Sequence, residues 1–564
     1  MLLAAGESSH LAGPDYFILV GYFVIMLGVG AYFWGYMKGM SDYFSGRHQI
    51  PWWLSGVSFY MTSFSAFLFV AYSELAFRKG LVAVTVGWAV VPAVLIGVIV
   101  VSGRWRRARI NSPAEYLEER FGLGLRQTFA WANVIVRMID DGLKVYATGL
   151  FLSKSVGLGL GESIACTGLI TLAYTFMGGL WAVAVTDFVQ FVVMLAGAAV
   201  LLPMALVRVG WLGGLVDHAP PGFFSLTAGP DHSWWFLGGW FLLLVCNYNT
   251  SFGLVQRYYC VRDEREARKV GYLVAVLCLV GTPIYFIPAM CARQFMPDAV
   301  PGSIYAALCV ELLPVGLLGL VVAAMFSATM STLSGDYNVV AAVLTNDVYH
   351  RLIDRQASER RLVTVGRACT LVVGLVPIAI GLCIAYLIGN DLLFSWMVKL
   401  FSVASPPIAI PMLAGILWRR CSNAGALAGF LGGLGVGLGL FFCGLKDYQI
   451  AAATTAATLI EMVVVSLLVT PGEPELRGRE GVFRRLDAAV SREELAAERG
   501  GPSPFRIVGL STIAIALMLL LVMPFVPWSS GSIVNLAIAI GLFVPGVIWM
   551  RQSGLELKEA GRES

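Results

Sequence analysis

Residues 60–64 read YMTSF and residues 248–252 read YNTSF, each in the middle of an apolar run, and the second begins beside Asn247. A helix needs roughly 20 mostly apolar residues to cross a bilayer, and by that measure the chain holds about fifteen candidate spans. The first runs from about Tyr16 to Tyr36 and the last from about Ser532 to Met550. The two pentapeptides lie five spans apart, with one span before the first. That is the separation expected if spans two to six and seven to eleven are inverted repeats, because an odd offset reverses orientation. Both put hydroxyl groups at mid-membrane depth, where they can re-satisfy backbone groups freed by a broken helix.

Composition supports one integral membrane bundle. Of 564 residues 58% are hydrophobic and 13% charged, against about a quarter charged in soluble domains. The ten Cys are scattered without a C-x-x-C pair, which reads as free buried thiols. All five His (His10, His48, His218, His232, His350) fall at or beyond the ends of apolar segments. That disfavours haem ligation in the membrane and an HExxH protease. The start, MLLAAGESSH, has no basic region ahead of its short apolar run, so no cleaved signal peptide is expected.

Four polar segments punctuate the spans, and each is rich in Arg: 104–126, 256–269, 350–361 and 471–506. Residues 211–233 have no Lys or Arg at all. Basic loops stay in the cytoplasm, so the N-terminus is expected outside and the C-terminus inside. Within 471–506 the stretch VFRRLDAAVSREELAAERG has amphipathic helical spacing, although a solvated linker is the default expectation.

A hard cation such as sodium needs several oxygens converging in a small space. Span nine supplies them: Ala328, Ser331, Thr332, Gly335 and Asp336 follow i, i+3, i+4, i+7, i+8 and share one small, polar face. Small residues and hydroxyls also line ordinary membrane-helix interfaces, but a carboxylate beside paired hydroxyls favours a site. Intramembrane charges cost roughly 2.5–3.5 kcal/mol each on insertion scales and count as functional candidates. Asp187, one to two turns from the Gly178-Gly179 bend, is the first. Arg137, Asp140, Asp141 and Lys144 form a second group with opposite charges three and four apart.

Four segments together resemble the sodium/solute symporter family, which includes bacterial proline permease and the sodium/glucose cotransporters: residues 41–66, 174–190, 255–269 and 328–349. They occur in the family's order, and the likeness covers roughly residues 10–450. The resemblance implies an all-α polytopic membrane protein with a leucine-transporter-like core of two inverted five-helix repeats, broken at mid-membrane. Residues 1–36 are then an extra helix, 37–232 the first repeat, 233–420 the second, 421–470 further helices, 471–506 a cytosolic linker and 507–564 two last helices and a tail.

By position, the resemblance implies one sodium held by the carbonyls of Met61, Phe64 and Ala328 with the hydroxyls of Ser331 and Thr332. A second cation site would involve Asp187 with Ser334 and Asp336, but Gly335 stands where members binding two sodium ions have another hydroxyl. Sodium is the only metal expected. Ser63, Ser65, Arg137, Asn249, Thr250 and Ser251 are candidates to line a pocket for a compact polar solute, with Arg137 suited to a carboxylate. Phe67 and Leu68 replace the polar pair that sugar-transporting members share, which disfavours a simple hexose.

The expected function is sodium-coupled import of a small carboxylate-bearing, polyol or sugar-like solute by alternating access, in the inner (plasma) membrane. A proton-coupled carrier using Asp187 or Asp336 is the alternative. A membrane enzyme or sensor is disfavoured, and no catalytic residue is assigned. The expected partners are the solute, sodium and the lipid bilayer, with no nucleic acid and a functional monomer.

Overall fold

The computed structural model describes residues 11–34, 48–64, 66–110, 113–175, 180–387, 393–497, 503–526, 528 and 530–563. Among these the fold is all-helical, and the single strand-like feature is an isolated bridge between Ala228 and His232. An outlying helix α1 (Gly13–Trp34) precedes a broken span made of α2 (Trp52–Ser63) and α3 (Ala66–Lys79). The chain returns through α4 (Val82–Trp88) and α5 (Val90–Val100) to two short polar helices, α6 (Ser102–Arg107) and α7 (Pro113–Phe121). Three long helices follow, α8 (Leu123–Val156), α9 (Leu160–Thr175) and α10 (Leu180–Arg208), and then the short α11 (Trp211–Asp217).

The second broken span, α12 (Trp234–Thr250) and α13 (Phe252–Tyr259), leads into α14 (Glu264–Phe295), the short α15 (Ile304–Leu312), α16 (Leu317–Val343), α17 (Glu359–Leu387) and α18 (Leu393–Leu417). Beyond these lie α19 (Asn423–Phe442), α20 (Asp447–Leu468), α21 (Glu473–Asp487), α22 (Arg492–Ala497), α23 (Pro504–Val522) and α24 (Ser530–Glu563). Among the described residues eleven helices are long and apolar enough to cross a membrane alone, thirteen with each strongly bent pair taken as one. The fifteen read from the sequence count α8 and α9 separately and include the α12–α13 pair, which does not meet this measure.

The helix at the centre is α16: its apolar window is 100% buried inside the protein, against 33% for α19 and α20 and 22% for α24. It packs on α1, α2, α8, α9, α10 and α17. Its start is fixed from α1, where the buried Asp15 carboxylate accepts from the amides of Gly316 (2.6 Å) and Gly319 (2.9 Å). These are unpaired first-turn donors at the positive end of the helix dipole. Gly319 is required for the approach, since a Cβ there would stand 2.4 Å from the Asp15 carbonyl oxygen.

The four Arg-rich segments converge on one end of the bundle. Arg107 pairs with Glu264 (2.8 Å), Arg109 with Glu494 (2.9 Å), Arg351 with Glu118 (3.0 Å) and Arg485 with Glu119. The linker between α20 and α23 departs from its solvated default. Helix α21 buries Val482, Phe483 and Leu486 and packs on α6 and α7. Phe483 sits between the guanidinium groups of Arg419 (5.2 Å) and Arg120 (5.8 Å).

Candidate ion and solute site

The two pentapeptides mark the two helix breaks. In the first, α2 ends at Ser63 and Phe64 turns extended (φ −101°, ψ 129°); in the second, α12 ends at Thr250 and Ser251 leaves helical geometry (φ −55°, ψ 123°). Counted from each Tyr, the breaks fall one residue apart. Each frees carbonyls and hydroxyls that a continuous helix would have used internally.

Thr332, on α16, faces the first break. Its Oγ1 lies 3.3 Å from the carbonyl oxygen of Thr62, 3.5 Å from that of Phe64 and 3.2 Å from that of Ala328. One hydroxyl proton cannot serve three carbonyls, so four oxygens converge with more lone pairs than donors. The Met61 carbonyl, by contrast, already accepts from the Phe64 amide at 3.0 Å. Ser331 turns away from this cluster and donates to the Asp187 carboxylate.

Asp187 is fully buried. Besides Ser331 it accepts from Ser58 (2.5 Å), and the Arg257 guanidinium stands 3.7 Å away. Arg257 also donates to Ser58 (3.0 Å) and Thr62 (3.1 Å), so it links α13 to α2 and α10. Ser334 spends its hydroxyl on the Ser331 carbonyl (3.0 Å). The three residues expected at a second cation site are therefore not gathered: Asp336 belongs to another cluster, with Arg137 and Lys144.

That cluster joins α8 to α16. Lys144 pairs with Asp140 (2.8 Å), Asp141 (3.1 Å) and Asp336 (3.4 Å). Arg137 stands 3.7 Å from both Asp140 and Asp336 and donates its close hydrogen bond to the Ser251 hydroxyl. Arg137, Asp140, Lys144 and Asp336 edge a cavity of about 130 Å³, many times the roughly 10–15 Å³ that one water needs. Thr332, Ser63, Ser251 and Asn247 add polar wall, and Phe67, Leu68, Tyr72, Trp240, Tyr248 and Phe286 add apolar wall.

Of the solute candidates, Arg137, Ser63 and Ser251 border the cavity, while Asn249 and Thr250 do not. Asn249 donates to the carbonyls of Val245 (2.8 Å) and Ala93 (3.3 Å), and Thr250 to that of Cys246 (2.8 Å). Ser65 lies outside the described residues, as does the Gly178-Gly179 bend. The sequence reading missed Arg257, Ser58 and the Thr62 carbonyl. Their signal was the apolar context of Ser58 and the closeness of Arg257 to the second break.

Comparison with known proteins gives the family. The chain is 26% identical to the sodium/myo-inositol cotransporter 2 of Sus scrofa over 561 residues, covering 87% of this chain and 82% of that protein. It is 27% identical to the sodium/sialic acid symporter of Aliivibrio fischeri over 453 residues, covering 75% and 86%. Its fold matches a substrate-bound, outward-open sodium-coupled sialic acid symporter with a TM-score of 0.72 at 22% identity, covering 82% of this chain and 99% of that one. These relatives are transporters, not enzymes. The sequence profile of the sodium:solute symporter family matches residues 43–433, well over half of the chain, and the chain belongs to that family.

Proposed function

We propose that this protein couples inward sodium movement to uptake of a small polar solute, carboxylate-bearing, polyol or sugar-like, by alternating access. The observation that carries this reading is the meeting of the Thr332 hydroxyl with the carbonyls of Thr62, Phe64 and Ala328 at a helix break. That donor set is neutral, oxygen-only and compact, which suits a hard monovalent cation. Thr332 is the side-chain ligand of this shell, while the Met61 carbonyl and the Ser331 hydroxyl are engaged by Phe64 and Asp187. A second cation site at Asp187 and Ser334 competes with Arg257 for the same carboxylate, and Asp336 serves the solute cavity instead.

The solute occupies the cavity beside the ion, with Arg137 as its anchor. Residues 37–232 and 233–420 act as the two inverted repeats, and rocking of one bundle against the rest exposes the cavity to either side. The Arg-rich end faces the cytoplasm of a plasma membrane, with the N-terminus outside, and the monomer is the working unit. In proteoliposomes, an inward sodium gradient should drive accumulation of a solute that is not accumulated when choline replaces sodium. Uptake that follows a proton gradient with sodium absent would overturn sodium coupling.

A further inference from the structure

We infer that the cavity selects solutes carrying an ammonium beside a carboxylate, zwitterions of amino-acid type, and that Asp336 determines this choice. The inference rests on the reading of this cavity as the solute site. At its wall Asp140 and Asp336 face Arg137 and Lys144, while Asp141 pairs with Lys144 outside the lining.

The two cations differ in how fully they are engaged. Lys144 reaches all three carboxylates at 2.8–3.4 Å. Arg137 lies beyond hydrogen-bond distance of its carboxylates, 3.7 Å from each, and both it and Asp336 line the cavity. A guanidinium takes a carboxylate through two parallel bonds, and Asp336 beside it offers acceptors to an ammonium. Donor and acceptor of opposite charge side by side complement a dipolar ion.

A monocarboxylate would engage Arg137 alone and a neutral polyol neither charge, so a solute bearing both groups is the one that uses the whole pair.

The test is a thermal-shift and equilibrium-binding screen of the purified full-length protein, in sodium or choline chloride. Its probes are the twenty L-amino acids, short monocarboxylates, N-acetylneuraminate, myo-inositol and hexoses. Stabilisation by an amino acid in sodium alone, at least tenfold tighter than for any monocarboxylate or polyol, is expected. Asp336→Asn should weaken that amino acid at least tenfold and admit a size-matched monocarboxylate, and Asp336→Glu should restore the original preference. Sodium-dependent binding led by a monoanion or a polyol overturns the selectivity while leaving sodium coupling standing. Sodium-independent binding, or none by any class, overturns both. If Asp336→Asn does not fold, an unchanged preference in Asp140→Asn together with polyol-led binding in the wild type rejects the inference.

Discussion

The guanidinium of Arg257, on α13, stands 3.7 Å from the carboxylate of Asp187, on α10, and both side chains are buried. Removing one partner of such a pair strands the other charge, which costs about 3–5 kcal/mol. Asp187→Asn should therefore lower the thermal midpoint sharply, while the double variant Asp187→Asn/Arg257→Gln recovers much of the loss. A double variant no more stable than the single one would show that the two charges do not support each other.

Thr332 and Ser331 are neighbours with different duties. Thr332→Ala should raise the sodium concentration for half-maximal stabilisation at least tenfold, about 1.4 kcal/mol, and Thr332→Ser should keep most of it. Ser331→Ala, whose hydroxyl serves Asp187, should reduce stability more than sodium affinity. Equal sodium shifts in the two alanine variants would contradict this separation.

Asn249 holds α12 to α5 through the Ala93 carbonyl (3.3 Å). Asn249→Ala should cost about 1–3 kcal/mol by leaving buried acceptors unpaired, with the solute concentration for half-maximal uptake unchanged. A marked rise in that concentration at normal stability would move Asn249 into the solute site.

Helix α21 is anchored through Phe483, which is 3% exposed. Phe483→Ala should cost about 3 kcal/mol of local anchoring and open residues 488–497 to limited proteolysis. Cleavage as slow as in the wild type would mean that the surrounding ion pairs hold the segment unaided.

Glu118, on α7, gives a pH signature. Burial alone would raise its carboxyl, but hydrogen bonds from Arg351 and Arg126 outweigh burial and hold it below the ordinary 4.5. A depressed value means that its stabilising contribution is full above about pH 4.5 and disappears as the pH falls through the native value. Thermal midpoints measured from about pH 6 to pH 3.5 should fall more steeply for the wild type than for Glu118→Gln. Parallel curves would show that these ion pairs do not stabilise the fold.

Much of this was legible in the sequence because membrane folds write backbone satisfaction into composition. YMTSF and YNTSF located both breaks, since only hydroxyl-rich interruptions survive where water is absent. Helical spacing likewise put Thr332 and Asp336 on one face. Spacing could not say which neighbour each side chain meets: Ser331 shares the face of Thr332 yet turns to Asp187. Arg257 looked like part of a basic loop because α13 ends close behind it at Tyr259. Asn249 seemed a solute ligand because nothing local marks Ala93 as its partner. The docking of α21 depends on Arg120 and Arg419, which are hundreds and tens of residues away and leave no trace in its own pattern.

Thr332 and Asp336 sit one turn apart on α16, whose apolar window is fully buried, so the oxygens of the proposed ion site and the wall of the proposed solute site belong to one rigid body. Linkage requires that whatever the ion adds to solute affinity, the solute adds to ion affinity. Where that gain is large, the singly loaded forms are scarce beside the empty and doubly loaded ones. A carrier populated in this way wastes little of its gradient on ions that cross alone.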